Sequence, residues 1–343
     1  MRRPQVDALR GRQRQAQVVF AGLVERRRRE LQRHRVLPAV PELGTCGAVE
    51  GDLLGKPEVR HDREAEPHEV ARVVRERAER REPVDLRPIA QRRNQARAEP
   101  VPPVGVVDHE PTLYQFESEK RLSPASLTKI MSALVILEHG HLDDEVTVSP
   151  KAARAHKTHL RLRTGQIFRL EDLLKAMLIM SANDACLAAS EHVGGDEARF
   201  VDLMNAKAVA LGLTNTHFSN ACGFDAPEHY STAEDLAKLS EIAMHHPVFK
   251  ELVREEREII MPINEHRAYV LRTTNRLLGR IPGVQGVKTG FTSKAGRCLI
   301  AKVSQDGSDL LLVILNSKRR WNTATSLINY GLRLSDSRAA LTR

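Results

Sequence analysis

The spacing of hydrophobic and polar positions changes along the chain and predicts helices flanked by strands. From Pro124 onward, apolar side chains recur every three or four residues, which is the spacing of one helix face. They are Leu127, Ile130, Met131, Leu134 and Leu137. Gly140 predicts the end of this helix, because glycine often follows the last helical turn.

Similar spacing predicts further helices in the middle of the chain and one at its end. They cover about 170–180, the stretch onward to 192, 198–210, 232–244 and 321–332. Short apolar runs predict strands at 104–108, 113–117, 286–292, 298–304 and 310–315. Asp306-Gly307 predicts a hairpin turn between the last two strands, because both positions tolerate a positive φ. Strands at both ends with helices between them indicate an α+β fold, in which helices, including a mostly helical subdomain, cover an antiparallel sheet.

The first part of the chain has a different composition. Residues 1–110 contain 22 Arg, one Lys and 18 acidic residues, and Phe20 is their only aromatic residue. Such a segment buries too little apolar surface for a core of its own. We therefore predict a dispensable Arg-rich, low-complexity extension over 1–103 and a folded domain over 104–343. Two interpretations of the extension stay open: a poorly folded arm, or translation from a misplaced start codon.

Composition excludes several classes of protein. The apolar run at 18–24 has only seven residues and is followed by arginines, so it does not predict a signal peptide. No run of about 18 apolar residues predicts a transmembrane helix. The net charge is +9, but acidic residues alternate with the arginines, so we expect no nucleic-acid partner. The four cysteines show neither metal-ligand spacing nor a disulfide-rich pattern.

The first of three short motifs offers a nucleophile and a base. Ser126 and Lys129 form S-x-x-K at the start of a predicted helix, where residues three apart share a face. A serine hydroxyl needs a base to take its proton. Lysine can be that base if burial or a second ammonium lowers its pKa. The backbone N–H of Ser126, free at a helix start, can bind an oxyanion.

The second motif, Ser181-Ala182-Asn183, ends the apolar helical run at 170–180. The serine can relay a proton to a leaving group, and the asparagine can bind a substrate amide and the base lysine. Taken alone, this motif is also what an ordinary helix end contains.

The third motif, Lys288-Thr289-Gly290, lies on a predicted strand. The lysine and the threonine can bind a carboxylate. The glycine leaves room for a substrate beside the strand, and Phe291 can present a second N–H to an oxyanion. The three motifs, in this order and context, are the set found in serine penicillin-recognising enzymes.

The chain resembles the low-molecular-mass penicillin-binding proteins that act as D-alanyl-D-alanine carboxypeptidases. The resemblance covers about residues 113–335. The segments that carry it are 113–114, 121–131, 181–185, 230–236, 275–278, 283–292 and 295–298.

The resemblance implies a function and a role for each site residue. The function is a serine-type D-Ala-D-Ala carboxypeptidase that trims peptidoglycan stem peptides outside the cytoplasmic membrane, without a metal or organic cofactor. β-Lactams are expected as covalent inhibitors. The roles are nucleophile for Ser126, base for Lys129, proton relay for Ser181, amide binder for Asn183, carboxylate binders for Lys288 and Thr289, and substrate contacts for Gly290 and Phe291. The second, β-rich domain of many family members is expected to be absent.

Several alternatives to this function follow from the same sequence. A DD-endopeptidase of the same fold shares all three motifs, and a non-catalytic penicillin-binding remnant is the alternative outside the enzymes. A β-lactamase is disfavoured because Ala182 replaces the usual Asp and no Glu-x-x-x-Asn lies between the second and third motifs. A zinc carboxypeptidase is disfavoured because its candidate ligands have no acidic partner at metalloprotease spacing. These candidates are His139, His141, His156 and His159.

Overall fold

The computed structural model describes residues 17–24 and 112–341, with side chains for 112–335. The strands are β1 (Gln17–Val24), β2 (Thr112–Phe116), β3 (Glu145–Thr147), β4 (Ile167–Arg169), β5 (Arg257–Ile260), β6 (Tyr269–Arg272), β7 (Val284–Thr292), β8 (Gly296–Gln305) and β9 (Ser308–Leu315). The helices are a 3₁₀ turn at Ala125–Thr128, α1 (Lys129–His139), α2 (Pro150–Ala153), α3 (Leu170–Ile179), α4 (Asn183–Gly194), α5 (Glu197–Ala210), α6 (Ala233–His245), α7 (Pro247–Leu252) and α8 (Arg320–Leu341).

A five-stranded antiparallel sheet forms the centre of the described domain. Its strand order is β2-β1-β9-β8-β7. The turn between β8 and β9 lies at Asp306-Gly307, with φ angles of 50° and 78°, as the sequence predicts. Two further hairpin-like pairs, β3 with β4 and β5 with β6, lie outside this sheet and have no counterpart in the sequence prediction.

Alternate residues of β9 face two separate hydrophobic clusters, because successive side chains of a strand point to opposite faces. Leu311, Val313 and Leu315 belong to the large core that the helices of residues 129–252 complete. Leu310, Leu312 and Ile314 pack in a smaller cluster with residues of α8, namely Ala324, Leu327 and Ile328. Helices therefore cover both faces of the sheet, and the predicted α+β fold is confirmed.

The predicted helices agree with the structure to within a few residues, except that α8 continues to Leu341 rather than ending near 332. The helix after the first motif ends at His139 and is followed by Gly140, as its sequence predicts. Its inward residues, from Leu127 to Leu134, are buried. Among the described helices, none has both the length and the apolar character that crossing a bilayer requires.

The structure differs from the sequence prediction in one strand of the sheet. β1 lies between β2 and β9, where Val19 pairs with Gln115 on one side and with Val313 on the other. The expectation that nothing in 1–103 belongs to the folded domain is therefore wrong for β1. Its short apolar run, which does not predict a signal peptide, contains β-branched residues with strand propensity. The strand predicted at 104–108 and the remainder of 1–103 lie outside the described residues.

Deleting residues 1–103 should therefore lower the melting temperature of the protein. Loss of β1 would leave the facing edges of β2 and β9 with unpaired backbone groups. A chain that lacks only residues 1–12 keeps β1 and should melt like the full chain. Both melts can be followed by circular dichroism. Equal melting temperatures for the two shortened chains would show that β1 contributes nothing to stability.

Candidate active site

The S-x-x-K motif lies where the 3₁₀ turn Ala125–Thr128 leads directly into α1. Ala125 has a φ of 50°, in the left-handed region, and its carbonyl accepts a hydrogen bond from Thr128 Oγ1 at 2.8 Å. Lys129 begins α1, and its Nζ donates to Ser126 Oγ at 3.2 Å. The structure thus brings the serine and the lysine together, as their spacing predicts.

The amine of Lys129 is enclosed by acceptors and excluded from water. The residue is 0% exposed, and Nζ also donates to Asn183 Oδ1 at 2.7 Å and to the Cys222 carbonyl at 2.6 Å. Burial, followed by the nearby ammonium of Lys288, lowers the pKa of Lys129 well below its usual value, and Asp184 opposes this shift. A lysine with such a pKa can be neutral and accept a proton.

The S-x-N motif reaches the same amine from the start of α4. Ser181 is buried and has a φ of 67°, in the left-handed region. Asn183 is the first residue of α4, and its Nδ2 donates to the carbonyl of His156 at 2.8 Å. That bond leaves Oδ1 directed at Lys129, so the two motifs share one hydrogen-bond network.

The K-T-G motif lies on β7, the last strand of the described sheet. A Cβ on Gly290 would lie 3.1 Å from the Pro124 carbonyl oxygen and 3.2 Å from both Ala125 Cβ and the Ser126 nitrogen. The strand therefore passes so close to the 3₁₀ turn that carries Ser126 that a residue larger than Gly290 would push the two apart. The first and third motifs are neighbours in space although about 160 residues separate them in sequence.

Lys288 is a second buried lysine of the site. It is 1% exposed, and its Nζ donates to the Thr289 carbonyl at 3.2 Å. Burial, followed by the charge of Arg320, lowers the pKa of Lys288 to about 7. An ammonium held in such a place, without a carboxylate partner in the described part of the chain, is suited to receive an anionic group.

Thr289 and Phe291 differ in their surroundings. Thr289 is buried, and its Oγ1 shares a hydrogen bond of 2.6 Å with Thr274 Oγ1. Phe291 is 58% exposed, and the guanidinium of Arg297 lies 5.8 Å from the centre of its ring. A ligand on the outer edge of β7 would therefore meet a hydroxyl group and then an aromatic ring.

The candidate zinc ligands do not assemble into a site. His139, His141 and His156 are exposed, and His159 is half-buried. Within the described ranges, no group of three or more His, Cys, Asp or Glu side chains has the geometry to hold a metal ion.

The sequence of the domain matches a known family of enzymes. A family model described as D-alanyl-D-alanine carboxypeptidase matches residues 107–319. The chain belongs to the D-alanyl-D-alanine carboxypeptidase family. It is 34% identical over 233 residues to the D-alanyl-D-alanine carboxypeptidase DacF of Bacillus subtilis, across 64% of this chain and 58% of that relative. The chain thus spans about three fifths of the length of several curated relatives, DacF among them.

Two solved structures show the same fold. The DD-transpeptidase of Streptomyces K15 aligns with a TM-score of 0.62 at 29% identity, over 66% of this chain and 93% of that one. Penicillin-binding protein D2 of Listeria monocytogenes, in its ampicillin-bound form, aligns with a TM-score of 0.58 at 30% identity, also over 66% and 93%.

The carboxypeptidase-family site in this chain includes supporting residues that sequence reasoning missed. Arg320 Nη1 donates to the carbonyls of Gly290 at 2.8 Å and Cys298 at 3.0 Å, which places its charge beside the third motif. Asp225 Oδ1 accepts from Thr292 Oγ1 at 2.6 Å and from Ser123 Oγ at 3.3 Å. No local pattern marks these residues, because each acts across a long sequence separation.

A disulfide bond also lies beside the site. It joins Cys186 on α4 to Cys222, across a sequence separation of 36 residues. Cys298 is a buried free thiol. The sequence predicts no disulfide-rich scaffold, and spacing alone does not indicate this pair, since 36 residues match no local motif.

Proposed function

We propose that this protein is a serine-type DD-carboxypeptidase that removes the terminal D-Ala of peptidoglycan stem peptides. The observation that carries the proposal is the buried Lys129 amine, 3.2 Å from Ser126 Oγ, with its pKa lowered by burial. An adjacent base of this kind is what a serine hydroxyl needs to act as a nucleophile. The family to which the chain belongs and the name of its Bacillus relative support the same reaction.

The proposed first step is acylation. Lys129 takes the proton of Ser126 as Oγ attacks the carbonyl carbon between the two D-Ala residues, and a C–O bond forms. The negative charge moves to the carbonyl oxygen, where the backbone N–H groups of Ser126 and Phe291 would stabilise it. The C–N bond then breaks, and the proton passes to the leaving amine, with Ser181 as the relay. Water hydrolyses the ester and regenerates Ser126.

Recognition of the terminal carboxylate is assigned to the third motif. Lys288 and Thr289 offer an ammonium and a hydroxyl on the edge strand β7, and Gly290 leaves space for a peptide beside it. Asn183 would hold the substrate amide from the other side. A β-lactam has a carboxylate near its strained amide, so the same contacts would present its carbonyl carbon to Ser126. Opening of the ring keeps the leaving amine attached and gives a covalent adduct.

We also propose that the protein works outside the cytoplasmic membrane, where peptidoglycan lies. The Cys186–Cys222 disulfide supports this location, because disulfides persist in oxidising compartments and are rare in the cytosol.

Incubation with benzylpenicillin should give a single adduct on the peptide that contains Ser126. Intact mass and peptide mapping measure it, and release of D-Ala from a peptide ending in D-Ala-D-Ala measures the hydrolysis. Ser126→Ala should lose both, because no nucleophile remains. Ser335→Ala, on α8, should retain both. An adduct on another residue, or no adduct on folded protein, would refute the proposal.

Thr289→Val should weaken catalysis on peptides that end in a free carboxylate. Loss of a hydrogen bond to a charged group costs about 1.5–3 kcal/mol, which corresponds to a fall in kcat/KM of roughly 10- to 150-fold. The fall should be smaller for peptides amidated at that end. Thr274→Val, the matched control, breaks the same hydroxyl pair but keeps the Thr289 donor, and it should cost less. Equal losses on both classes of peptide would show that Thr289 does not bind the carboxylate.

A further inference from the structure

Two of the oxygens that hold Lys129 belong to segments joined by a disulfide. Lys129 Nζ donates to Asn183 Oδ1 at the start of α4 and to the backbone carbonyl of Cys222. Cys186 lies three residues after Asn183 on the same helix and is bonded to Cys222. One covalent link therefore joins the segments that carry these two acceptors of the amine.

Hydrogen bonds of Ala221 hold the loop that carries Cys222 to α1 and α5. The Ala221 carbonyl accepts from Ser132 Oγ at 2.5 Å, and its N–H donates to Glu197 Oε1 at 3.3 Å. Asn220 Oδ1 accepts from the backbone N–H groups of Cys222, Gly223 and Phe224 at 3.3, 2.8 and 2.9 Å. Its Nδ2 donates to the Phe224 carbonyl at 3.0 Å. The bonds of Asn220 shape the loop internally and those of Ala221 reach α1 and α5, but none of them attaches the loop to α4. The disulfide makes that attachment.

The same loop also packs against the backbone of the 3₁₀ turn that carries Ser126. Gly223 has a φ of 86°, and a Cβ there would lie 2.0 Å from the Ala125 carbonyl oxygen and 2.9 Å from the Ser126 nitrogen. Any side chain would displace this contact. Movement of the loop would therefore disturb both Lys129 and the backbone of Ser126.

We propose that the Cys186–Cys222 disulfide is a positioning device for Lys129, so that acylation of Ser126 depends on the oxidation state of these two cysteines. The inference rests on the proposed acyl-enzyme function. It assigns to the bond a task beyond general stability: holding the Cys222 carbonyl against the base while the loop closes the amine off from water.

Reduction by a dithiol would free the Cys222 end of the loop from α4, while the bonds of Ala221 to α1 and α5 remain. The two reductant sulfurs become a disulfide, the S–S bond of the protein breaks, and Cys186 and Cys222 each end as a thiol with one proton. Without the link, the loop can separate from α4, and water can reach the Lys129 amine. Acylation should then slow, because the amine is less well placed and less often neutral.

The charged surroundings of Lys129 set the direction of the pH effect. Burial is the largest cause of its lowered pKa, ahead of Lys288 on β7, and Asp184 on α4 opposes it. Hydration would relieve the burial and raise the pKa, and water would replace the Cys222 carbonyl as acceptor. His229 lies nearby, but its own pKa is lowered to about 4, so it stays neutral across the tested range. The acidic limb of the acylation profile should therefore move to higher pH on reduction.

The test compares acylation by benzylpenicillin, from pH 5 to 9, in oxidised protein and in protein reduced with dithiothreitol under native conditions. Mass after alkylation confirms the number of free thiols, and oxidised glutathione reverses the reduction. We expect a fall in rate on the order of tenfold, less than for loss of the base itself, together with the shift of the acidic limb. The double variant Cys186→Ala, Cys222→Ala should show the same lower acylation rate and the same shift of the acidic limb, and it introduces no new thiol that could titrate. Dithiothreitol should not change its acylation rate. Cys298→Ala should keep the wild-type ratio of oxidised to reduced rates.

Three results would overturn the inference. The first is an unchanged acylation rate on reduction. The second is a slower acylation rate whose acidic limb stays at the same pH, which is what a merely structural bond would give. The third is that reduction no longer slows acylation in Cys298→Ala. If the double variant does not fold, reduction and reoxidation of the natural chain give the same comparison.

If oxidised protein forms no adduct, the proposed function fails instead. Hydrogen exchange then tests whether the disulfide holds the loop. The amides of residues 222–224 should exchange faster after reduction, and unchanged exchange would refute the inference.

Discussion

Lys129→Ala should slow the acylation of Ser126 by benzylpenicillin by about 10²- to 10⁴-fold, the range typical of losing a general base. The physical reason is that Nζ is 3.2 Å from Ser126 Oγ and has a pKa well below its usual value. Time-resolved intact mass measures the rate, and circular dichroism checks that the variant is folded. In the wild-type protein the rate should also fall as the pH drops through the lowered pKa, because a protonated amine cannot accept the serine proton.

Lys175→Ala is the matched control for this prediction. Lys175 is a half-buried lysine, unlike the fully buried Lys129, and it pairs with Glu171 at 2.7 Å and with Asp172 at 3.4 Å. Its pKa is raised, since these carboxylates outweigh its burial. The control should acylate at the wild-type rate. Similar rates for the two variants would show that Lys129 is not the base.

Lys288→Met should abolish most of the acylation and yet raise the melting temperature near neutral pH. The activity should fall because the variant loses the ammonium assigned to the substrate carboxylate. Folding lowers the pKa of Lys288 from 10.5 to about 7, which costs the wild-type protein stability on the order of 4 kcal/mol near neutral pH. The variant avoids this cost, so its stability should rise. Methionine fills a similar volume without a charge to desolvate. Thermal melts and penicillin acylation measure the two effects.

The pH dependence separates this explanation from a simple packing effect. Between about pH 7 and 10.5, unfolded Lys288 binds a proton and folded Lys288 does not, so the wild-type protein gains stability as the pH rises. The advantage of Lys288→Met should therefore be full below pH 7 and shrink towards pH 10. Lys302→Met, on the neighbouring strand, removes a lysine that pairs with Asp309 at 3.4 Å and should not stabilise the protein. A constant advantage at every pH would argue against a desolvated charge.

Much of the fold could be predicted because its signals are local. The spacing from Leu127 to Leu137 predicts α1, and the Asp306-Gly307 turn predicts the β8–β9 hairpin. The short pairs β3–β4 and β5–β6 were not predicted, since strands of three or four residues contain too few positions to establish a period. β1 was missed for another reason: its apolar run stands in an Arg-rich segment, and only its partners β2 and β9 identify it as a strand.

The candidate site likewise contains residues that the sequence predicts and residues that it does not. The motifs name Ser126, Lys129 and Lys288, because their chemistry resides in residue types at short spacing. The supporting contacts of Asp225 and Arg320 were not predictable, because each joins segments between 22 and 102 residues apart. No periodicity in one segment records which distant segment will pack against it.

The sequence by itself determined the residue types of the three motifs, the periods of the helices and strands around them, and hence the fold class and the family. Only the tertiary structure decided the properties that make those residues reactive. The pKa of Lys129 depends on exclusion of water and on the approach of Lys288, and the amine is held by the Cys222 carbonyl at the end of a disulfide. Desolvation and charge act through space, so they exist only once distant parts of the chain have come together.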